Sequence, residues 1–163
     1  MPKPLLRPQG DFPRAGLIRR FAAMFYDFLL CTALLMVVTL IYKMVQMAIF
    51  GEERLRQLSD SGALDGDPLL SSVLLLSLFG FFAYFWTRNG QTLGMQVWGL
   101  RVQNADGSAI SLWQALLRFM VAIASWLCLG LGYFWVLRKG RSSWHDLYSE
   151  SQIVQLPKNI HKK

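Results

Sequence analysis

The sequence predicts an all-α fold, a multi-pass transmembrane helical bundle, and three observations carry that expectation. Of 163 residues, 53% are hydrophobic and 17% charged, a balance more apolar than that of an ordinary soluble domain. The apolar residues gather into three blocks, at about 17–45, 69–87 and 112–137. Phe28 to Tyr42 holds no charge, and Leu69 to Thr87 runs nineteen residues without one, the length at which a spanning helix is the expected reading. The net charge of +7 sits on the flanks of these blocks. It therefore points to membrane orientation, with the lipid bilayer and not nucleic acid as partner.

The chain divides into a cytoplasmic tail over 1–14, a transmembrane domain over 15–154 and a basic C-terminal tail over 155–163, the last carrying Lys158, His161, Lys162 and Lys163. Pro2, Pro4, Pro8 and Pro13 keep the first tail out of a helix and predict a mobile or interfacial lead-in. The first helix opens near Ala15 to Leu17, takes Phe21 to Tyr42 into the bilayer and continues to Phe50, with Gly51 as its stop. About 20 residues rising ~1.5 Å each cover a hydrocarbon core of about 30 Å. Bulky Val, Leu, Ile and Tyr stand where a signal peptide would place its small-residue cleavage site, so this helix is expected to be retained.

Residues 51–68, with Glu52, Glu53, Asp60, Asp65 and Asp67, read as a solvated acidic loop. The second helix follows, with Ser77, Gly80 and Ala83 spaced to admit a close neighbour. Val97–Val102 and Ala109–Leu112 then flank the turn Asn104-Ala105-Asp106-Gly107, predicting a short cytoplasmic hairpin-like loop or two extended arms. Ser111 is the expected N-cap of the third block and Trp113 an interface aromatic; among the other tryptophans, Trp126 alone is expected to be packed.

Gly130 and Gly132 interrupt that third block, which either crosses once or bends near Leu129–Gly132 and returns as a hairpin. Charge counting favours the bend. Five Lys or Arg precede the first helix through Arg20, three lie in the acidic loop counted from Lys43, two in the hairpin loop and six from Arg138 onward. Positive segments stay inside, so N-tail, hairpin loop and C-tail are all expected to be cytoplasmic, at a bacterial-type inner (plasma) membrane. Cys31 and Cys128 lie in apolar stretches without a Cys or His at ligand spacing, which predicts packed thiols, no disulfide, no metal and no cofactor.

Charges inside apolar sequence are the candidate functional residues. Asp27 lies about two turns into the first helix, where a carboxylate costs several kcal/mol unless paired, hydrated or protonated. Arg20 is seven residues earlier on the same helical stripe, about 10.5 Å away along the axis. Arg118 lies at a similar depth past Trp113, and an Asp27–Arg118 pair would neutralise both. Asp146 follows the basic turn Lys139 to Ser143 and the rings of Trp144 and His145, an interfacial position from which it can meet Arg20.

Arg20, Asp27 and the Trp144-His145-Asp146-Leu147 segment, with Gly90-Gln91-Thr92-Leu93-Gly94, Gly99-Leu100-Arg101-Val102, Asp106-Gly107 and Arg118 in order between them, resemble the RDD family of membrane proteins over roughly Ala15 to Val154. Arg20 is preferred to Arg19 as the family arginine for its register with Asp27. Ser149-Glu150-Ser151 departs from the family's Gly-Thr step and bears on local C-terminal packing. The resemblance implies a compact multi-pass domain, and some members have been associated with cation/proton exchange.

Catalysis is not expected. Gly90 to Gly94 lacks the Lys-Ser/Thr ending of a phosphate-cradling loop and reads as a turn, and His145 beside Asp146 near Ser142 lacks the geometry of a hydrolytic triad. The expected function is a non-enzymatic membrane interaction or assembly module held by Arg20, Asp27, Arg118 and Asp146, its partner a second copy or another membrane protein. The alternative is a small-ion transporter, such as a cation/proton exchanger, using Asp27.

Overall fold

The structure, a computed structural model, describes residues 4–62, 66–128, 130–137 and 142–157. They form two compact units, one joining Met1–Phe28 to Phe81–Lys163 and the other comprising Leu29–Gly80.

Helix α1 (Leu17–Phe50) is continuous over 34 residues, about 51 Å at ~1.5 Å per residue. It ends where the sequence offers glycine: Gly51 has φ 76°, a conformation that stops a helix without a Cβ clash. Helix α2 (Glu52–Asp60) replaces the expected loop. Glu52 and Glu53 complement its N-terminal dipole, and Arg56 pairs with Glu52 at 3.2 Å one turn away. None of its residues is buried, so no apolar pattern announced it. Asp65 lies outside the described residues.

Helix α3 (Pro68–Arg88) starts as Pro at a first helical position should, behind an N-cap. Asp67 Oδ1 accepts from the backbone N–H of Leu69 (2.9 Å) and Leu70 (3.3 Å), while its Oδ2 accepts from Tyr42 Oη (2.7 Å) and Gln46 Nε2 (3.3 Å) on α1. A Cβ at Gly80 would meet nothing within 4 Å, so the Ser77-Gly80-Ala83 spacing is not used there for close packing. α1 and α3 are long and apolar enough to cross a membrane.

The other unit adds helix α4 (Leu93–Val97), strand β1 (Leu100–Gln103), helix α5 (Leu112–Leu127), helix α6 (Leu131–Phe134) with a 3-10 turn over Trp135–Leu137, helix α7 (Trp144–Tyr148) and strand β2 (Gln152–Gln155). The fold is mostly helical, yet the all-α expectation needs correction. β1 and β2 pair antiparallel from Leu100↔Gln155 to Gln103↔Gln152. The Asn104–Gly107 turn forms, but the chain beyond it is not the strand partner of β1. Instead Ser108 bridges Leu5, and the Ala109 N–H donates to the Pro4 carbonyl.

The N-terminal segment is thereby built into the fold. Leu6 and Ala15 are buried, the Ala15 N–H donates to Ile153 O at 2.9 Å, and the Gln155 N–H donates to Pro13 O at 2.9 Å. A proline-rich extended segment carries unpaired backbone groups, and the stretch Gly107–Ala109 and the edge of β2 offer their complement. Over residues 4–14, an ordered edge replaces the expected free tail.

Ser111 caps α5 as predicted, its Oγ accepting from the Gln114 N–H while the Gln114 side chain accepts from the Ser111 N–H. The third block bends: Gly130, in the left-handed conformation at φ 78°, donates its N–H to Ser125 O, and the axes before and after the break differ by 109°. Leu129, named at the expected bend, lies outside the described residues, as do most of the Lys139 to Ser143 turn and the tail from Lys158. Two details differ from expectation. Trp126 is 63% exposed, leaning on Tyr133 with ring centroids 6.0 Å apart, and Cys128 is an exposed free thiol whereas Cys31 is buried.

Candidate functional site

Asp146 is held by its own helix. Ser143 N-caps α7, Asp146 occupies the third helical position, and its Oδ2 accepts the Ser143 N–H at 3.1 Å. That capping box aims the carboxylate away from solvent and into a space reached by two guanidinium groups. Arg20 Nη1 donates to Oδ2 at 2.6 Å and Arg118 Nη1 to Oδ1 at 2.9 Å, so one carboxylate bridges α1 and α5. All three side chains are at most 4% exposed.

The arginines are fixed by further contacts. Arg20 Nε donates to the Ala15 carbonyl at 3.2 Å, tying the guanidinium back to the residue that bonds to β2. Arg118 also donates to Ser149 Oγ and Ser151 Oγ, and its guanidinium carbon stands 5.5 Å from the Trp86 ring centroid. The Ser149-Glu150-Ser151 departure thus contributes two hydroxyls to the arginine, which are themselves bonded at 2.7 Å. Buried guanidinium groups require such oxygen acceptors because each unmet N–H costs on the order of a kcal/mol or more.

The cluster sums to one positive charge, with two arginines around one aspartate. Burial pushes the Asp146 carboxyl up, but the Arg118 and Arg20 charges and their hydrogen bonds outweigh it and hold Asp146 well below the usual carboxylate range. His145 is pulled down to about 3, first by burial and then by Arg118. Its ring packs 4.5 Å from that of Tyr133, and it remains neutral beside the ion cluster.

Asp27 is handled differently. Thr92 Oγ1 donates to its Oδ2 at 2.5 Å and the Gly94 backbone N–H to its Oδ1 at 2.9 Å. Thr92 is simultaneously the N-cap of α4, accepting from the Met95 N–H. This approach needs glycine: a Cβ on Gly94 would lie 2.8 Å from Asp27 Oδ1 and collide with the Ala23 carbonyl. The expected Asp27–Arg118 pair is therefore overturned, because Asp146 takes Arg118 and neutral donors satisfy Asp27.

Of the four predicted residues, the structure brings Arg20, Arg118 and Asp146 into one cluster and gives Asp27 its own. Sequence reading missed Thr92, Gly94, Ser143 and the serine pair. The signal for the first two was present in Gly90 to Gly94, where a Thr two residues before a Gly is both a helix N-cap and a place of close backbone approach. Among the described residues no group of three His, Cys, Asp or Glu side chains is placed to hold a metal.

Two long apolar helices and a buried Arg-Asp-Arg cluster define a membrane protein. The RDD family model matches residues 14–150, a span that contains Arg20, Asp27, Arg118 and Asp146, and the chain belongs to the RDD family. No curated protein and no solved structure matches the chain.

Proposed function

We propose that this chain is a non-enzymatic, multi-pass module of a bacterial-type inner membrane, with both termini cytoplasmic, that acts by associating with a second copy or with another membrane protein. The observation carrying this reading is that Asp146 is shared by Arg20 and Arg118 with all three side chains buried. Charges so engaged serve cohesion: they join the start of α1, α5 and α7 and leave the exposed apolar surface as the means of contact.

A second reading, a small-ion transporter working through Asp27, draws on a separate observation. Asp27 is buried, and its bonds to Thr92 and Gly94 bring no positive charge beside it. Such a carboxylate can exchange a proton for a small cation.

The test is Asp27→Asn in the full chain reconstituted in sealed vesicles, read for proton movement on addition of sodium or potassium and for thermal stability. The module reading expects no cation-coupled proton movement in the parent protein and lower stability in the variant. Cation-coupled proton movement that the variant abolishes while remaining folded would establish the transporter reading instead.

A further inference from the structure

The direction of α5 can be read from what its two ends touch. Near its start, Arg118 reaches Arg20 through the shared Asp146 carboxylate. Near its end, Trp126 packs on Tyr133 at 6.0 Å, and Tyr133 packs on Phe21 at 6.2 Å. Residues 118 and 126 are about 12 Å apart along α5, whereas Arg20 and Phe21 are neighbours about 1.5 Å apart along α1. By Tyr133, past the bend, the chain is back beside Phe21, the neighbour of Arg20, so α5 and the bend after it together gain little depth along α1. α3 agrees: Trp86, which stacks on Arg118, lies two residues before the helix ends at Arg88, and Phe82, one turn back, meets Phe119 at 6.3 Å.

The side chains of α5 are sorted to match. Ala115, Arg118, Phe119 and Ser125 are buried, while Trp113, Met120 and Leu127, at successive seven-residue steps along the opposite face, are exposed. After the 109° bend the chain does not continue to a far surface, because Tyr133 is already back against His145 on α7 and Gln114, at the start of α5, donates to Ser149 O at 2.8 Å.

We infer that α5 and the turn following it form an in-plane amphipathic element seated in a single lipid leaflet, on the side where α1 begins and β2 ends. Its partner is the boundary between headgroups and acyl chains, which takes an apolar helical face bearing Trp, Met and Leu to a depth of about 5–10 Å. Only α1 and α3 then cross the bilayer, and the inference rests on the reading that these two do cross. The bent pair contributes no third passage and occupies one leaflet alone.

The experiment uses the full chain with Cys31→Ser and Cys128→Ser, reconstituted in vesicles of phosphatidylcholine and phosphatidylglycerol. Nitroxide labels are placed singly by Trp113→Cys, Met120→Cys and Leu127→Cys, and depth is read by paired oxygen and nickel-chelate accessibility. An in-plane helix gives three depths equal within a few ångströms. A crossing helix gives steps of about 10.5 Å, which would overturn the inference.

Impermeant maleimide on Gln9→Cys, Ser61→Cys and Pro157→Cys supplies the second readout. Labelling of positions 9 and 157 from one face and 61 from the other supports the inference. Position 157 labelling with 61 overturns it while leaving α1 a spanning helix. Position 61 labelling with 9 removes the spanning reading of α1 and the inference with it.

Discussion

Asp146 is the side chain whose loss the fold should tolerate least. Replacing it with Asn keeps the shape but leaves Arg20 and Arg118 as two buried cations without an anion, and removing one partner of a buried ion cluster costs about 3–5 kcal/mol. Asp146→Asn is expected to lower the thermal midpoint in detergent more than any substitution on the exposed face of α5. His145 sets a pH dependence of definite sign. Its folded pKa of about 3 lies below its ordinary value near 6.5, so between those limits the unfolded chain binds a proton that the folded chain refuses. Stability should fall as pH drops from about 6.5, by up to about 1.4 kcal/mol per unit. Asp146, depressed in the folded state, adds stability above its unfolded value near 4 that is withdrawn only at lower pH, so the upper window belongs to the histidine. His145→Phe should flatten the thermal midpoint between pH 6.5 and 4.5, and an unchanged slope would remove the histidine as its cause.

At the scale of elements, α4 is a short helix held in place by a carboxylate from α1. Gly94→Ala is expected to separate Asp27 from Thr92 and the Gly94 N–H, because the added methyl meets backbone at Ala23 as well as the carboxylate. A reduced thermal midpoint, together with faster hydrogen exchange over Thr92–Val97, would report that separation. Ser111→Ala removes one hydroxyl from a capping box and should cost about 1 kcal/mol, read from a denaturant midpoint. The elements differ in how far the sequence disclosed them. α1 and α3 were legible because length and the absence of charge suffice to specify a spanning helix, and the Ser111 cap because its partner lies three residues away. α2 has no apolar face to announce it, and β1 could not name its partner because β2 lies some fifty residues later, beyond the reach of any local pattern. Among the charges, Arg20 with Asp146 was legible from chemistry and depth. Asp27 was not, because its ligands are a hydroxyl and a backbone N–H that charge matching does not consider.

For the whole molecule, the ends of the chain fasten its first unit. Residues 4–15 bond to the segment after the Asn104–Gly107 turn and to β2, and β2 closes on β1, so Leu100, Val102 and Val154 are fully buried only when early, middle and late sequence are present together. Truncation after Ser149 removes Ser151 from Arg118 and strands β1. It is expected to reduce membrane-extracted protein severalfold and to broaden its elution in detergent, whereas removal of residues 158–163 should change neither. The bridge from Arg20 to Asp146 also fixes an order of events during synthesis. Arg20 leaves the ribosome 126 residues before its carboxylate does, and α1 and α3 can enter the bilayer while that arginine still has no counter-ion. Emergence of Asp146 is thus the event that neutralises it. A chain that stops short of Asp146 lacks the one carboxylate that joins Arg20 to Arg118, and the start of α1 loses its tie to α5.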